Sequence, residues 1–168
     1  DSHAQYFLNT IVENKLLINS QIRTRYIPTR CQIYLGDNQQ KRWGINDEQL
    51  CVKSDNLESA KLQIQNADVI ILAALWRKWS AESLPETIKN LHLNADQTLF
   101  VIGRRSFRKV DTQSIQNLND NELRQLRIEV DKDQIEINSC LQMAKKLNYT
   151  NVLLRFNRTK YSRNCEAI

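Results

Sequence analysis

The sequence predicts an α/β fold: a three-layer α/β/α arrangement with a central parallel sheet. Three observations predict it. Helical and strand-like patterns alternate along the whole chain. The strongest strand candidate, Asp68–Ala73, is apolar on both faces, as a strand covered from two sides is. The 168 residues are enough for one domain, 1–168, with a real core.

The elements follow in order. Gln5–Lys15 places Phe7, Leu8, Ile11 and Val12 on one helical face. Leu17–Arg23 alternates apolar and polar residues and reads as a weaker strand. A polar stretch from Gly36-Asp37-Asn38 through Gly44, flanked by Cys31 and Cys51, reads as a loop. Leu57–Gln65 is helical and precedes the strand Asp68–Ala73. Leu84–Leu93 is a helix with Pro85 in its first turn, where the missing N–H costs nothing. Thr98–Ile102 is a strand ended by Gly103. Arg104–Leu118 is a long polar loop, either a rim element or mobile. One long helix is expected from Asn119 to Leu147. Leu123, Leu126, Val130, Ile137, Leu141 and Ala144 form its face and Asp120 its N-cap. Asn151–Phe156 is the last strand.

Right-handed crossovers bring the C-terminal ends of such strands to one edge, where these folds place their sites. The chain opens directly into a helix. A doubly wound fold is therefore expected to have a strand just before residue 1, with Asp1-Ser2-His3 as the turn into the first helix. Both ends look cut, so a fragment of a longer protein is expected.

Composition excludes several classes. Hydrophobic residues are 41% and charged residues 26%, which argues against disorder. The longest apolar run, Val69–Trp76, is about a third of a membrane span. No signal peptide is visible at the start. With three glycines, the chain has no GxGxxG and no GxxxxGK[ST] phosphate loop. The net charge of +5 is scattered, with small clusters at Arg104–Lys109 and Arg155–Arg163. A nucleic-acid binder more often shows a continuous stripe with interleaved aromatics. The four cysteines form no CxxC pair and sit far from both histidines, so no zinc site is expected. Cys31 and Cys51 are either a disulfide or two buried thiols; a bridge would close a loop of about 20 residues. Cys140, on the apolar side of the long helix, reads as a buried thiol. Cys165 has a partner outside the chain as one option.

A serine in a strand-to-helix turn has a specific chemical use. Its hydroxyl projects at the sheet edge, its own N–H faces the same spot, and the helix N-terminus adds a positive field. These supply a nucleophile and half an oxyanion hole. The alternative is that Asp1 or Ser2 merely caps the helix. The block Asp1-Ser2-His3-Ala4 resembles the Gly-Asp-Ser-His-Ala block of SGNH hydrolases. More narrowly, the chain resembles the SGNH domain fused to the acyltransferase-three family of membrane O-acyltransferases. The polar loop with Cys31 and Cys51 fits that subgroup. Asp68-Val69-Ile70-Ile71-Leu72-Ala73-Ala74-Leu75-Trp76 is similar to its Asp-Val-Val-Ile-Leu-Ala-Ala-Arg-Trp block. Leu99-Phe100-Val101-Ile102-Gly103, followed by Phe107, resembles its Val-x-Val-Ile-Gly-x-x-Pro-x-Phe block. The resemblance covers nearly the whole chain.

There are departures. Leu75 stands where the family often has Arg, and Ser106 falls near its Pro. The superfamily's Gly-x-Asn-Asp block, which completes the oxyanion hole, has no counterpart; Ala73–Trp76 occupies its place. The Asp-x-x-His pair that supplies the base is absent too. His3 is next to Ser2, and neighbours in a turn usually point apart. His92 lies at a helix end far from the strand tips and reads as an ordinary, partly buried histidine. The base and its Asp are therefore expected beyond residue 168, and this segment alone is expected to be inactive.

The resemblance implies a flavodoxin-like SGNH fold. Ser2 would be the nucleophile and backbone oxyanion donor, with Asp1 and His3 in supporting roles. It implies serine-dependent transfer of an acyl group, acetyl in the first place, to a cell-surface carbohydrate such as lipopolysaccharide. Acyl-CoA is the ultimate donor, acting through an integral-membrane domain N-terminal to this one. This domain itself binds no cofactor, and its implied place is the periplasmic side of a bacterial inner membrane. Trp76 and Trp79 follow the strongest strand and are either core packing or an aromatic platform for a sugar. Arg77, Arg104 and Arg105 near the same edge are either solvated charge or contacts for an anionic glycan. Two Asn-x-Thr patterns, at Asn148 and Asn157, carry no meaning for a bacterial chain. The alternatives are a carbohydrate esterase, with water as acceptor, a non-catalytic glycan-binding domain of the same fold, or, from a different class, a basic nucleic-acid module, recognisable by salt-dependent binding.

Overall fold

The apolar run after Asp68 forms strand β1 (Val69–Ala73), and Thr98–Ile102 forms β2. Branched and aromatic side chains suit a pleated, half-buried surface. The two strands pair in parallel, from Val69 opposite Thr98 to Ala73 opposite Ile102. β3 (Val152–Arg155) lies parallel on the far side of β2, with Leu99 opposite Val152. The strand order is β1-β2-β3. The computed structural model describes residues 2–104, 112–125, 131–143 and 152–155; for 2, 3, 112, 114, 124, 143 and 152–155 it describes the backbone alone.

Parallel strands need crossovers, and these are helical. α1 (Ser2–Glu13), a 3-10 turn at Gln39–Arg42, α2 (Glu48–Lys53) and α3 (Leu57–Gln65) precede β1. α4 (Lys78–Glu82) and α5 (Leu84–Leu91) link β1 to β2. α6 (Thr112–Ile115), α7 (Asp120–Gln125) and α8 (Lys132–Met143) lie between β2 and β3. The fold is mixed α/β with a parallel sheet. Among the described residues no helix is long and apolar enough to cross a membrane.

Local sequence explains the helix limits. Asn56 caps α3: its Oδ1 accepts from the Ser59 N–H at 2.8 Å, and Ser59 Oγ accepts from the Asn56 N–H at 3.2 Å. This reciprocal box satisfies two donors that the first turn leaves open. α5 starts with Pro85 in its first turn and ends at His92, whose φ of 50° is left-handed and stops the helix.

One core joins these parts. Ile70 and Leu72 of β1 and Leu99 and Val101 of β2 point to the same side. They meet Leu57, Ala60 and Ile64 of α3, Leu84, Ile88 and Leu91 of α5, and Ile137 and Leu141 of α8. Leu84, Leu91, Val101 and Leu141 have no exposed surface. Each such side chain contributes about 2 kcal/mol of burial.

Several expectations are corrected. β1 is not sealed on both faces: Val69 and Ile71 remain 50% and 36% exposed. α1 contacts β1, and Ile11 is its one fully buried side chain among those described. Leu17–Arg23 is not a strand. The chain turns through Leu17, at φ 58°, and continues to residue 28 in no strand, leaving Leu17, Ile18 and Ile22 exposed. An alternating pattern fits a pleat, but only a neighbouring strand makes one.

The single helix from Asn119 to Leu147 is also not formed. Asp131 is non-helical, and its Oδ1 accepts from the Gln134 N–H to start α8 afresh. Asn119, rather than Asp120, caps α7; its Oδ1 accepts from the N–H groups of Asn121 and Glu122. Of the expected face, Ile137 and Leu141 are buried and Leu123 is 42% exposed, while Leu126, Val130 and Ala144 lie outside the described residues. The loop expected over Arg104–Leu118 contains α6, and its residues 105–111 lie outside the described set.

Candidate functional site

In a parallel sheet the chain leaves every strand at the same edge. Here β1 leaves through Ala74–Arg77 and β2 through Gly103–Arg104. The organiser of that edge is Gln32. Its side chain is buried and its φ of 59° is left-handed, an uncommon and costly backbone state for a side-chain-bearing residue. The carboxamide spends every bonding site. Its Nε2 donates to the carbonyls of Thr29 and Leu75, and its Oε1 accepts from the Arg77 N–H at 2.7 Å and the Ser80 hydroxyl at 2.6 Å. One amide thus fixes the exit from β1 and the first turn of α4.

Trp76 follows on that exit. It has no exposed surface, and its Nε1 donates to the Ile102 carbonyl at 2.8 Å, tying the end of β1 to the end of β2. Of the two options the sequence leaves for Trp76, the structure shows core packing: the indole is part of the core cluster and its surface is buried there. Arg104 donates through Nη1 to the Trp76 carbonyl at 3.2 Å. Its backbone is clamped by Asn138 of α8, which accepts from the Arg104 N–H at 2.8 Å and donates to its carbonyl at 2.6 Å. The guanidinium is partly buried, and desolvation pushes its pKa below the ordinary value, opposed by Asp131 and Asp133. Its Nε is buried without a partner. Arg77 is exposed at the start of α4, and beside it Lys78 pairs with Glu136 of α8 at 2.6 Å.

A second group lies around the cystine loop. Cys31 and Cys51 form a disulfide, with Cα atoms 5.3 Å apart. Between them Tyr34 is buried against α5, its hydroxyl 2.9 Å from Glu86 and 3.0 Å from the Asp37 carbonyl. Burial, then the hydrogen bond to Glu86, pushes the phenol up to about 12. A Cβ on Gly36 would collide with Tyr34 Oη and the Glu86 carboxylate, so this close approach requires glycine. Trp79 packs edge-on to Tyr34 at 5.8 Å, with the Arg42 guanidinium 6.0 Å over its ring.

The structure brings Trp76, Arg77 and Arg104 to one edge, as the sequence suggests. Ser2 and His3 open α1, where the backbone alone is described; Asp1, Arg105 and Cys165 lie outside the described residues. Two residues are corrected. His92 is exposed, not partly buried. Cys140 is buried but disulfide-bonded, so it is no free thiol. Among the described residues no three histidine, cysteine or acidic side chains gather as a metal site. Sequence reasoning missed Gln32, Ser80 and Asn138. Gln32 did leave a signal: it is the lone amide in the run Cys31-Gln32-Ile33-Tyr34-Leu35. Asn138 left none, because its partners are backbone atoms of a distant segment.

No family profile matches the chain, and no curated protein or solved structure is significantly similar to it.

Proposed function

We propose that this chain is the SGNH-like module of an extracytoplasmic O-acyltransferase and that Ser2 carries an acyl group to a cell-surface carbohydrate. The observation that carries the reading is the Asp1-Ser2-His3-Ala4 block, with Ser2 as the first residue of α1 in a parallel α/β chain. The complete fold in this reading is three-layered and flavodoxin-like. Ser2 Oγ gives its proton to the base and attacks the carbonyl of the donor's acyl ester or thioester; its own N–H stabilises the tetrahedral oxyanion, and the donor's alcohol or thiol leaves with that proton. One such donor typically supplies about 3–4 kcal/mol in the transition state. A sugar hydroxyl then attacks the acyl-serine and regenerates Ser2; water in its place makes the same site an esterase. The base lies outside residues 1–168. His92 is unsuited to the role, because it ends α5 and precedes the start of β2, at the sheet edge opposite the strand exits. Arg104 and Arg77, at the exit edge, are placed in this reading to meet an anionic acceptor. The membrane-bound partner domain and acyl-CoA as ultimate donor belong to the same proposal.

The test is Ser2→Ala in the chromosomal gene. The ester content of surface polysaccharide, read by mild alkaline release, should fall to background while the protein level holds. Undiminished acylation would sink the assignment.

A further inference from the structure

A cleft of about 470 Å³ lies beside the 3-10 turn of the cystine loop. Its walls are unusual in chemistry. Four carboxamides line it, from Asn38, Gln39, Gln40 and Asn56. Lys41, Trp43 and Val52 complete the lining. No carboxylate lines it among the described residues.

Much of this bonding capacity is unspent inside the protein. The Asn38 side chain makes no capping bond to the turn it precedes. Asn56 uses its Oδ1 on Ser59, which leaves its amide hydrogens. Gln39 donates to the Tyr34 carbonyl at 3.3 Å, which leaves its oxygen. Trp43 is half-buried; its Nε1 is shielded, so the residue meets the cleft through other atoms of its side chain or backbone.

The frame that holds these groups is rigid. The Lys41 N–H bonds to the Asn38 carbonyl at 2.9 Å, the Trp43 N–H bonds to the Gln40 carbonyl at 3.2 Å, and the disulfide closes the segment. Pre-set groups lose little entropy on binding. Carboxamides both donate and accept, so they match hydroxyl groups, which do the same. An indole adds an apolar face for the C–H side of a ring. One net positive charge and no carboxylate leave neutral ligands unopposed.

We propose that this cleft is a saccharide-binding site that takes a neutral, hydroxyl-rich pyranose unit. It is built from the loop 38–43 and the ends of α2 and α3, and its argument does not use Ser2. Binding here and acyl transfer at Ser2 can therefore fail separately.

The test is a 15N–1H titration of the labelled chain with the neutral tetramer of N-acetylglucosamine. The Trp43 indole resonance, assigned by its loss in Trp43→Phe, should shift saturably with Kd about 1 mM. The double variant Asn38→Gly/Gln40→Ala should weaken binding about tenfold or more while other resonances hold; glycine tolerates the left-handed φ of 60° at position 38. The galacturonic acid tetramer serves as a charge control. A shift with the acidic tetramer alone overturns the proposal in favour of simple attraction to Lys41. No saturable shift with the neutral tetramer up to about 20 mM also overturns it, as does unchanged affinity in the double variant.

Discussion

Gln32 shows how a single polar side chain can set the geometry of a sheet edge. Its amide is buried where a polar group is costly unless every bond is made, and here every bond is made. The left-handed backbone at this position is the strain that aims it. Gln32→Leu nearly keeps the volume and removes four bonds, leaving the Arg77 N–H without its acceptor and the Ser80 hydroxyl with the Arg77 carbonyl alone. The expected loss is about 2–4 kcal/mol, read as a lower urea midpoint with an unchanged slope. A loss under about 0.5 kcal/mol would show that the network does not hold the edge. Arg104 is the opposite case. Its guanidinium is partly buried with its Nε unspent, and burial lowers its pKa by more than the nearby Asp131 and Asp133 raise it.

At the scale of elements, the cystine loop is a unit stapled at several points. The disulfide closes it, the Leu35 N–H donates to Thr87 Oγ1, and Asn90 donates to the Leu35 carbonyl. Replacing both cysteines by serine, Cys31→Ser with Cys51→Ser, should cost about 3 kcal/mol through the restored freedom of a loop of about 20 residues. Thermal unfolding of the double variant against the oxidised parent measures it, and an unchanged midpoint would mean that α5 alone holds the loop. This loop also marks the limit of what the sequence reveals. The strands β1, β2 and β3 and the helices α3 and α5 are legible, because apolar periodicity is a local signal. The short helices α2 and α4 are not, since six and five residues carry too little periodicity. The break at Asp131 escapes because apolar spacing continues on both sides, while the interruption is made by a side chain capping the next turn. At the sheet edge, Arg77 and Arg104 are legible from their place after apolar strands. Gln32 and Asn138 act through contacts 45 and 34 residues away, which no local pattern encodes.

For the whole molecule, the two faces of the sheet differ. The face of Ile70 and Leu72 joins the core with residues of α3, α5 and α8; on the opposite face Val69 and Ile71 are partly in water. α1 contacts β1 but buries only Ile11 among its described side chains, so it is the weakly anchored element. Amide exchange is expected to be fastest in α1 and slowest in β2, whose central Leu99 and Val101 are fully enclosed.

The clasp between Trp76 and the Ile102 carbonyl has an optical consequence. An indole in dry surroundings emits toward the blue, and one reached by water emits toward the red. Trp43 and Trp79 are partly exposed, whereas Trp76 is enclosed and bonded across two strand ends. The chain therefore carries its own lamp at the seam of its sheet. The blue component should persist in rising urea until β1 and β2 part, should then fade together with the helical circular dichroism if unfolding is two-state, and should be missing from Trp76→Phe at every urea concentration.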